Sequence, residues 1–377
     1  MRPVAKGLLV TARAVPYNRS ILAAESVVGA VAPSSTSSDR VAVAPPLMGG
    51  GFDLFLLGPG ATVAVSALFL ALWAAGRPAA AAAVATTLSL LVLGPHYAAT
   101  YRRAFFSLDV LRAHPVVTLV APIFLVAGAA LAVSSPRFGP WYFLAYVAWS
   151  GYHYSGQSLG IAMLFPLRQR ARLDAREKRL LALPLYASWI VSLIGLLRAG
   201  AGARNPAYSI VADAFLRVRL STATLVALLV PLAATFAGPV IVARERNRRG
   251  VPLPAMSLAV LATQVVWFAI GIFHPFFNVV LVPVFHSLQY LALTGWHWTR
   301  GERGGRLGAF AAYVASVLVL GLVINPGLLA IFVPNGDTPR TLSIAAAVIS
   351  AINLHHFLMD GRIWRTRERR VAQAFGG

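Results

Sequence analysis

Residues 255–300 read AMSLAVLATQVVWFAIGIFHPFFNVVLVPVFHSLQYLALTGWHWTR. From Ala255 to Thr299 no residue is charged, and the run is about twice the ~20 residues that an α-helix needs to cross a bilayer. The segment His274-Pro275-Phe276-Phe277-Asn278 is where it can turn, because proline ends one helix and suits the first turn of the next. The stretch therefore predicts two consecutive membrane helices with a tight turn between them.

Apolar stretches of similar length lie on either side, near 52–75, 78–101, 116–134, 140–165, 180–198, 221–243, 308–333 and 341–361. With 255–274 and 277–298 they make about ten spans. Of the 377 residues 58% are hydrophobic and 12% charged, against about a quarter charged in soluble domains, so a water-soluble globule is excluded. The expected fold is all-α: a polytopic transmembrane helix bundle filling residues 51–363. Residues 1–50 contain the low-complexity run from Ala32 to Ser38 and are expected to form a disordered cytoplasmic tail. A signal peptide is the competing reading, but Arg13 and Arg19 interrupt its apolar core. Residues 364–377 form a basic cytoplasmic tail.

Lys and Arg accumulate on the cytoplasmic side of a membrane protein. Here Arg102, Arg103 and Arg112 follow the second span, Arg168 to Arg179 the fourth, and Arg244 to Arg249 the sixth. Arg300, Arg303 and Arg306 follow the eighth, and Arg362 to Arg370 the tenth. Odd-numbered exits carry little charge, except the loop after the fifth span with Arg198, Arg204, Arg217 and Arg219. Both termini are therefore expected in the cytoplasm, with the chain a multi-pass protein of the cell (inner) membrane. The formal charge of +21 is read as this topology signal and as contact with anionic lipid headgroups, not as a nucleic-acid surface.

No cysteine occurs, which excludes disulfides, iron–sulfur clusters and thiolate-bound metal. The two lysines, Lys6 and Lys178, lie outside the apolar segments, so no retinal Schiff base can form inside the bundle. The polar residues retained at membrane depth, which are functional candidates by default, are nearly all histidine. His96 falls on span two, His153 on span four, His286 and His297 on span eight, and His355 and His356 on span ten. His114 and His274 sit at ends and are read as structural. Counted at 1.5 Å per residue, His153 and His286 lie roughly 18 Å from their cytoplasmic ends, and His96, His355 and His356 roughly 9 Å.

Helical spacing pairs His153 with Gln157, His356 with Asp360 and His286 with Gln289 on common faces. Imidazole is the commonest ligand for iron, copper and zinc, and its second nitrogen needs an acceptor to fix the tautomer. His96, His153, His286, His355 and His356 are thus candidate metal ligands, with His297 in reserve and Gln157, Gln289 and Asp360 as their supports. A lone intramembrane histidine serves equally well as a helix-to-helix hydrogen bond; five on four helices argue for a shared site. No Glu or Asp occupies the middle of a span, which excludes a carboxylate-bridged di-iron centre and weakens proton-coupled transport.

In this histidine content the chain resembles the integral membrane iron oxygenases and desaturases, which hold iron in histidine clusters near the cytoplasmic face. Their HxxxH and HxxHH boxes do not occur here: His355-His356 lacks a partner three residues upstream, and His96, His153 and His286 stand alone. The segment from Asn353 to Trp364 also looks like a signature of bacterial membrane proteins. The resemblance implies a non-haem iron oxidoreductase acting on a lipid or other apolar substrate, with an electron-donor protein as partner. Bis-histidine haem in an electron-transfer protein, or a lipid or small-molecule transporter, are the alternatives.

Overall fold

The structure, a computed structural model, describes residues 46–105, 108–135, 137–200, 221–300, 306–324 and 339–364. The chain divides into two units, Met1–Arg40 and Val41–Gly377. The first unit lies outside the described residues, as do most of the expected N-terminal tail, the C-terminal tail beyond Trp364, and the basic loop after the fifth span.

Among the described residues the regular elements are helices, and the described part of each expected span falls on one; the expected ninth span lies outside the described residues beyond 324. They are α1 (Pro59–Ala74), α2 (Pro78–Phe105), α3 (Val116–Ser134), α4 (Gly139–Arg168) and α5 (Ala175–Gly200). Then follow α6 (Thr222–Arg248), α7 (Ala255–Phe273), α8 (Phe277–Thr299), α9 (Arg306–Ile324) and α10 (Pro339–Ile363). Among the described residues seven helices are long and apolar enough to cross a membrane, or eight if Gly50–Leu57 and α1, joined at a bend of 47°, count as one span. The protein is therefore a multi-pass helical membrane protein. The apolar part of helix α9, Gly308–Ile324, is shorter, and α4, although 30 residues long, is made less apolar by Ser150-Gly151-Tyr152-His153-Tyr154-Ser155-Gly156-Gln157.

Local chemistry explains the helix ends. Asp174 accepts from Glu177 N–H at 2.8 Å while Glu177 accepts from Asp174 N–H at 2.9 Å, a reciprocal box that starts α5. That backbone N–H holds the Asp174 carboxyl below its ordinary range. Prolines inside α2, α4, α5 and α6 are tolerated because neighbouring helices in a bundle can satisfy the freed carbonyls. At the basic end, buried Glu177 accepts from Arg246 at 3.0 Å and fastens α5 to α6.

Helix directions follow from which residues meet. Ser257 and Gln264 of α7 bond Ala162 and Ser155 of α4, so these two are antiparallel. Trp189 of α5 lies against Gly151 of α4, and Leu185 takes a bond from Ser155, again antiparallel. Asn278 lies against Gly271, and Phe285 stacks on Trp267, so the chain reverses at His274-Pro275 and α7 and α8 are separate helices. Gly321 of α9 faces Pro95 of α2 while Tyr313 faces Arg102, another reversal. Asn353 and Asp360 of α10 bond Tyr97 and Thr100, so α10 runs with α2. Helices α2, α4, α8 and α10 thus share one direction, and that alignment builds the site.

Candidate metal centre

One histidine from each of those four helices meets at a common point. Ring centroids are 4.9 Å apart for His96 and His286, 4.9 Å for His286 and His153, 5.2 Å for His153 and His356, and 4.3 Å for His356 and His96. The four imidazoles close a ring, each edge-on to its neighbours at 68–77°. His96, His286 and His356 are buried; His153 keeps slight exposure toward a cavity.

Four parallel helices carry the next polar layer one turn further on, at i+4. These residues are Thr100, Gln157, Tyr290 and Asp360. Thr100 and Tyr290 both donate to Asp360 Oδ1, at 3.0 and 2.9 Å, and Trp364 Nε1 donates to Tyr290 at 3.0 Å. Asp360 Oδ2 is left facing His356 Nε2 at 3.3 Å and His153 Nε2 at 3.9 Å. One turn the other way the corresponding residues are Val92, Trp149, Val282 and Ile352, all apolar. Tyr154 lies tilted against the His286 ring at 4.3 Å and Phe357 stacks on His153 at 4.4 Å, packing against both rings.

Two sets of side chains offer ligand atoms within 4.8 Å of one another: His96 with His286 and His356, and His153 with His356 and Asp360. Both ring nitrogens of His286 and of His356, His96 Nδ1, His153 Nε2 and Asp360 Oδ2 are buried with no hydrogen-bond partner among the described residues. An unsatisfied buried polar atom costs about 1–3 kcal/mol. Left so, this group would cost as much as the ~5–15 kcal/mol that holds a whole domain folded. Metal binding at one nitrogen of a ring, or at Asp360 Oδ2, removes that atom's share of the cost, so the donor set fits a metal ion: borderline nitrogen ligands and one carboxylate suit iron, zinc or copper.

Several expected roles change. His355 does not join the ring: its nitrogens face Tyr101 Oη at 3.1 Å and the Val117 carbonyl at 2.9 Å, fastening α10 to α2 and α3. His297 lies about 16 Å along α8 from His286, where its ring meets Trp364 edge-on at 5.6 Å. Neither glutamine supports a histidine ring: Gln157 donates to the His286 carbonyl at 3.0 Å and Gln289 to the Leu57 carbonyl at 2.7 Å. Asp360, expected only as a support, offers an oxygen to the second set, so one carboxylate does reach the histidines.

The expected difference in depth also disappears. Arg102 lies only six residues beyond His96, yet its guanidinium reaches out 3.6 Å above Trp298, twelve residues beyond His286. A long arginine side chain carries its charge well past its own Cα, so counting from it underestimates burial. Thr100, Tyr290 and Trp364 were not singled out from the sequence. Their signal was present as a polar residue at i+4 from each ring histidine.

Two cavities flank the ring. One, of about 290 Å³, touches His153, Gln157, Tyr290 and Asp360 and is walled by Trp149, Tyr152, Tyr186 and Trp364. The other, of about 350 Å³, lies toward the opposite helix ends, separated from the histidines by Tyr97 and Tyr154. Aromatic and aliphatic groups dominate both. Fold and site together define a multi-pass helical membrane protein with a buried His/Asp group able to hold a metal ion. No family model, curated protein or solved structure matches the chain.

Proposed function

We propose that this protein is a membrane-embedded, metal-dependent oxidoreductase acting on a lipid or other apolar substrate. The observation that carries the reading is the closed ring of four histidines with Asp360 at the wall of an apolar, aromatic cavity. On this reading His96, His153, His286, His356 and Asp360 supply the ligands of the metal centre, with non-haem iron as the metal. Kinship to the histidine-rich membrane oxygenases belongs to the same proposal.

Bound iron supplies dioxygen chemistry, and insertion of one oxygen atom into a C–H bond consumes O2, two electrons and two protons and releases water. The residues provide the surroundings. Trp149, Tyr152 and Tyr186 bind an apolar chain beside His153; Tyr290 and Thr100 fix Asp360. The dry wall excludes water from the reacting centre. Tyr290 stands 4.6 Å from the His96 ring and 6.0 Å from Trp364, over which Arg103 sits at 3.8 Å. This basic end of the bundle suits an acidic electron-donor protein.

Ten crossings with both termini in the cytoplasm are part of the proposal. The common direction of α2, α4, α8 and α10, with the end of α6 fastened to the start of α5 through Arg246 and Glu177, supports it, since it brings Arg102, Arg168, Arg246 and Arg362 to one side. Haem is favoured less than a bare ion. A haem held here would need an open, flat gap between two of these histidines, whereas their rings pack edge-on against one another around one point. Cavities on both sides of the histidines favour transport as the second reading. Metal analysis of the purified protein tests the first: stoichiometric iron lost in His286→Ala supports it, and absence of bound metal refutes it. Proteoliposome flux that survives all histidine substitutions would support transport.

A further inference from the structure

The five ligand side chains do not gather into one shell. They form two overlapping sets of three, His96/His286/His356 and His153/His356/Asp360, and only His356 belongs to both. A single ion with bonds of about 2 Å needs its ligand atoms no more than about 4 Å apart even across a diameter. Each set approaches that spacing by itself. The carboxylate stays on one side: Asp360 Oδ2 faces His153 and His356, held there through Oδ1 by Thr100 and Tyr290.

His356 has the chemistry to be shared. It is fully buried, and both of its ring nitrogens lack a hydrogen-bond partner among the described residues. His286 has two unpartnered nitrogens as well, but it belongs to only one of the two sets, whereas His356 belongs to both. A metal-bound imidazole usually gives its second nitrogen to an acceptor. Asp360, on the same helix at i+4, is the nearest candidate, yet its oxygen faces His153 as well.

We propose that the centre is dinuclear, with His356 as the bridging ligand. One divalent ion sits on His96, His286 and one nitrogen of His356; the other sits on His153, Asp360 and the remaining nitrogen. Loading the second ion releases the last ring proton of His356 to solvent, so the bridge is an imidazolate. The charges differ: the first ion has only nitrogen ligands from the side chains, the second has the Asp360 carboxylate. That asymmetry gives a histidine-only site that prefers softer ions and a mixed site that also accepts harder ones.

The proposal rests on the metal-centre reading above, and its test separates the two. Full-length protein in detergent is stripped with a chelator, titrated with Cu²⁺ and followed by bound-metal analysis and electron paramagnetic resonance. The dinuclear centre predicts two ions per chain and a signal that grows to one equivalent, then falls as the second ion couples through the imidazolate. With Co²⁺, H96A and D360N each retain one ion per chain with different visible spectra, and H356A loses the coupling. Saturation of the wild type at one ion overturns the dinuclear centre and leaves a single metal site standing; saturation at zero overturns both. A Cu²⁺ signal that rises linearly to two equivalents overturns the bridge without any variant having to fold.

Discussion

Alanine at Gly321 tests whether the packing of α9 sets the position of His96. A Cβ built there would lie 2.5 Å from Pro95 N and 2.6 Å from the Gly94 carbonyl carbon, both backbone atoms that cannot rotate away. Ordinary contact begins near 3.4 Å, so α2 and α9 must separate by 3.4 − 2.5, about 0.9 Å. Overpacking of this kind costs about 1–3 kcal/mol. His96 directly follows Pro95, and a functional constellation tolerates displacements of only about 0.5 Å. Metal affinity should therefore fall at least about tenfold, the lower end of the loss when a ligand's support is removed. Gly308→Ala, on the same helix with nothing within 4 Å of its Cβ, is the control and removes the helix-propensity gain from the comparison. Thermal unfolding in detergent and chelator competition give the two readouts. Equal stability and equal metal affinity for the two variants would refute the coupling between α9 and the ring.

Tyr290→Phe removes the donor to Asp360 Oδ1 and the acceptor of Trp364; metal affinity is expected to drop about 10–100-fold with the stoichiometry unchanged, read by competition with a chromogenic chelator. His355→Ala should leave metal content intact while lowering stability by about 1–3 kcal/mol, because it removes the contact to Tyr101 and leaves the Val117 carbonyl without its ring partner; metal loss in this variant would place His355 in the centre after all. Glu177→Gln strips the charge facing buried Arg246 and should destabilise the α5–α6 end by about 3 kcal/mol without altering bound metal, measured by unfolding and metal analysis side by side. Removing metal with a chelator should lower the unfolding temperature in the wild type by an amount equivalent to about 4 kcal/mol at a thousandfold excess over Kd, and lower it less in H356A, which lacks one ligand of each set.

The sequence by itself determined the helices and their succession. Apolar runs about 20 residues long have no other stable arrangement in lipid than a helix, and the proline at 275 could only mark a turn, which Asn278 against Gly271 and Phe285 on Trp267 bear out. It also marked His96, His153, His286 and His356 as unusual, since polar groups are costly at that depth. Which histidines meet was beyond its reach. His355 and His356 are neighbours in the chain, yet about 100° of helical turn separates their faces; one points to Val117, the other into the ring. Gln157 and Gln289 share faces with their histidines, but their amides answer carbonyls on other helices. Only the tertiary structure decided these partners. A side chain at i+4 has a fixed neighbour on its own helix, whereas the groups it meets across the bundle depend on how four parallel helices are aligned.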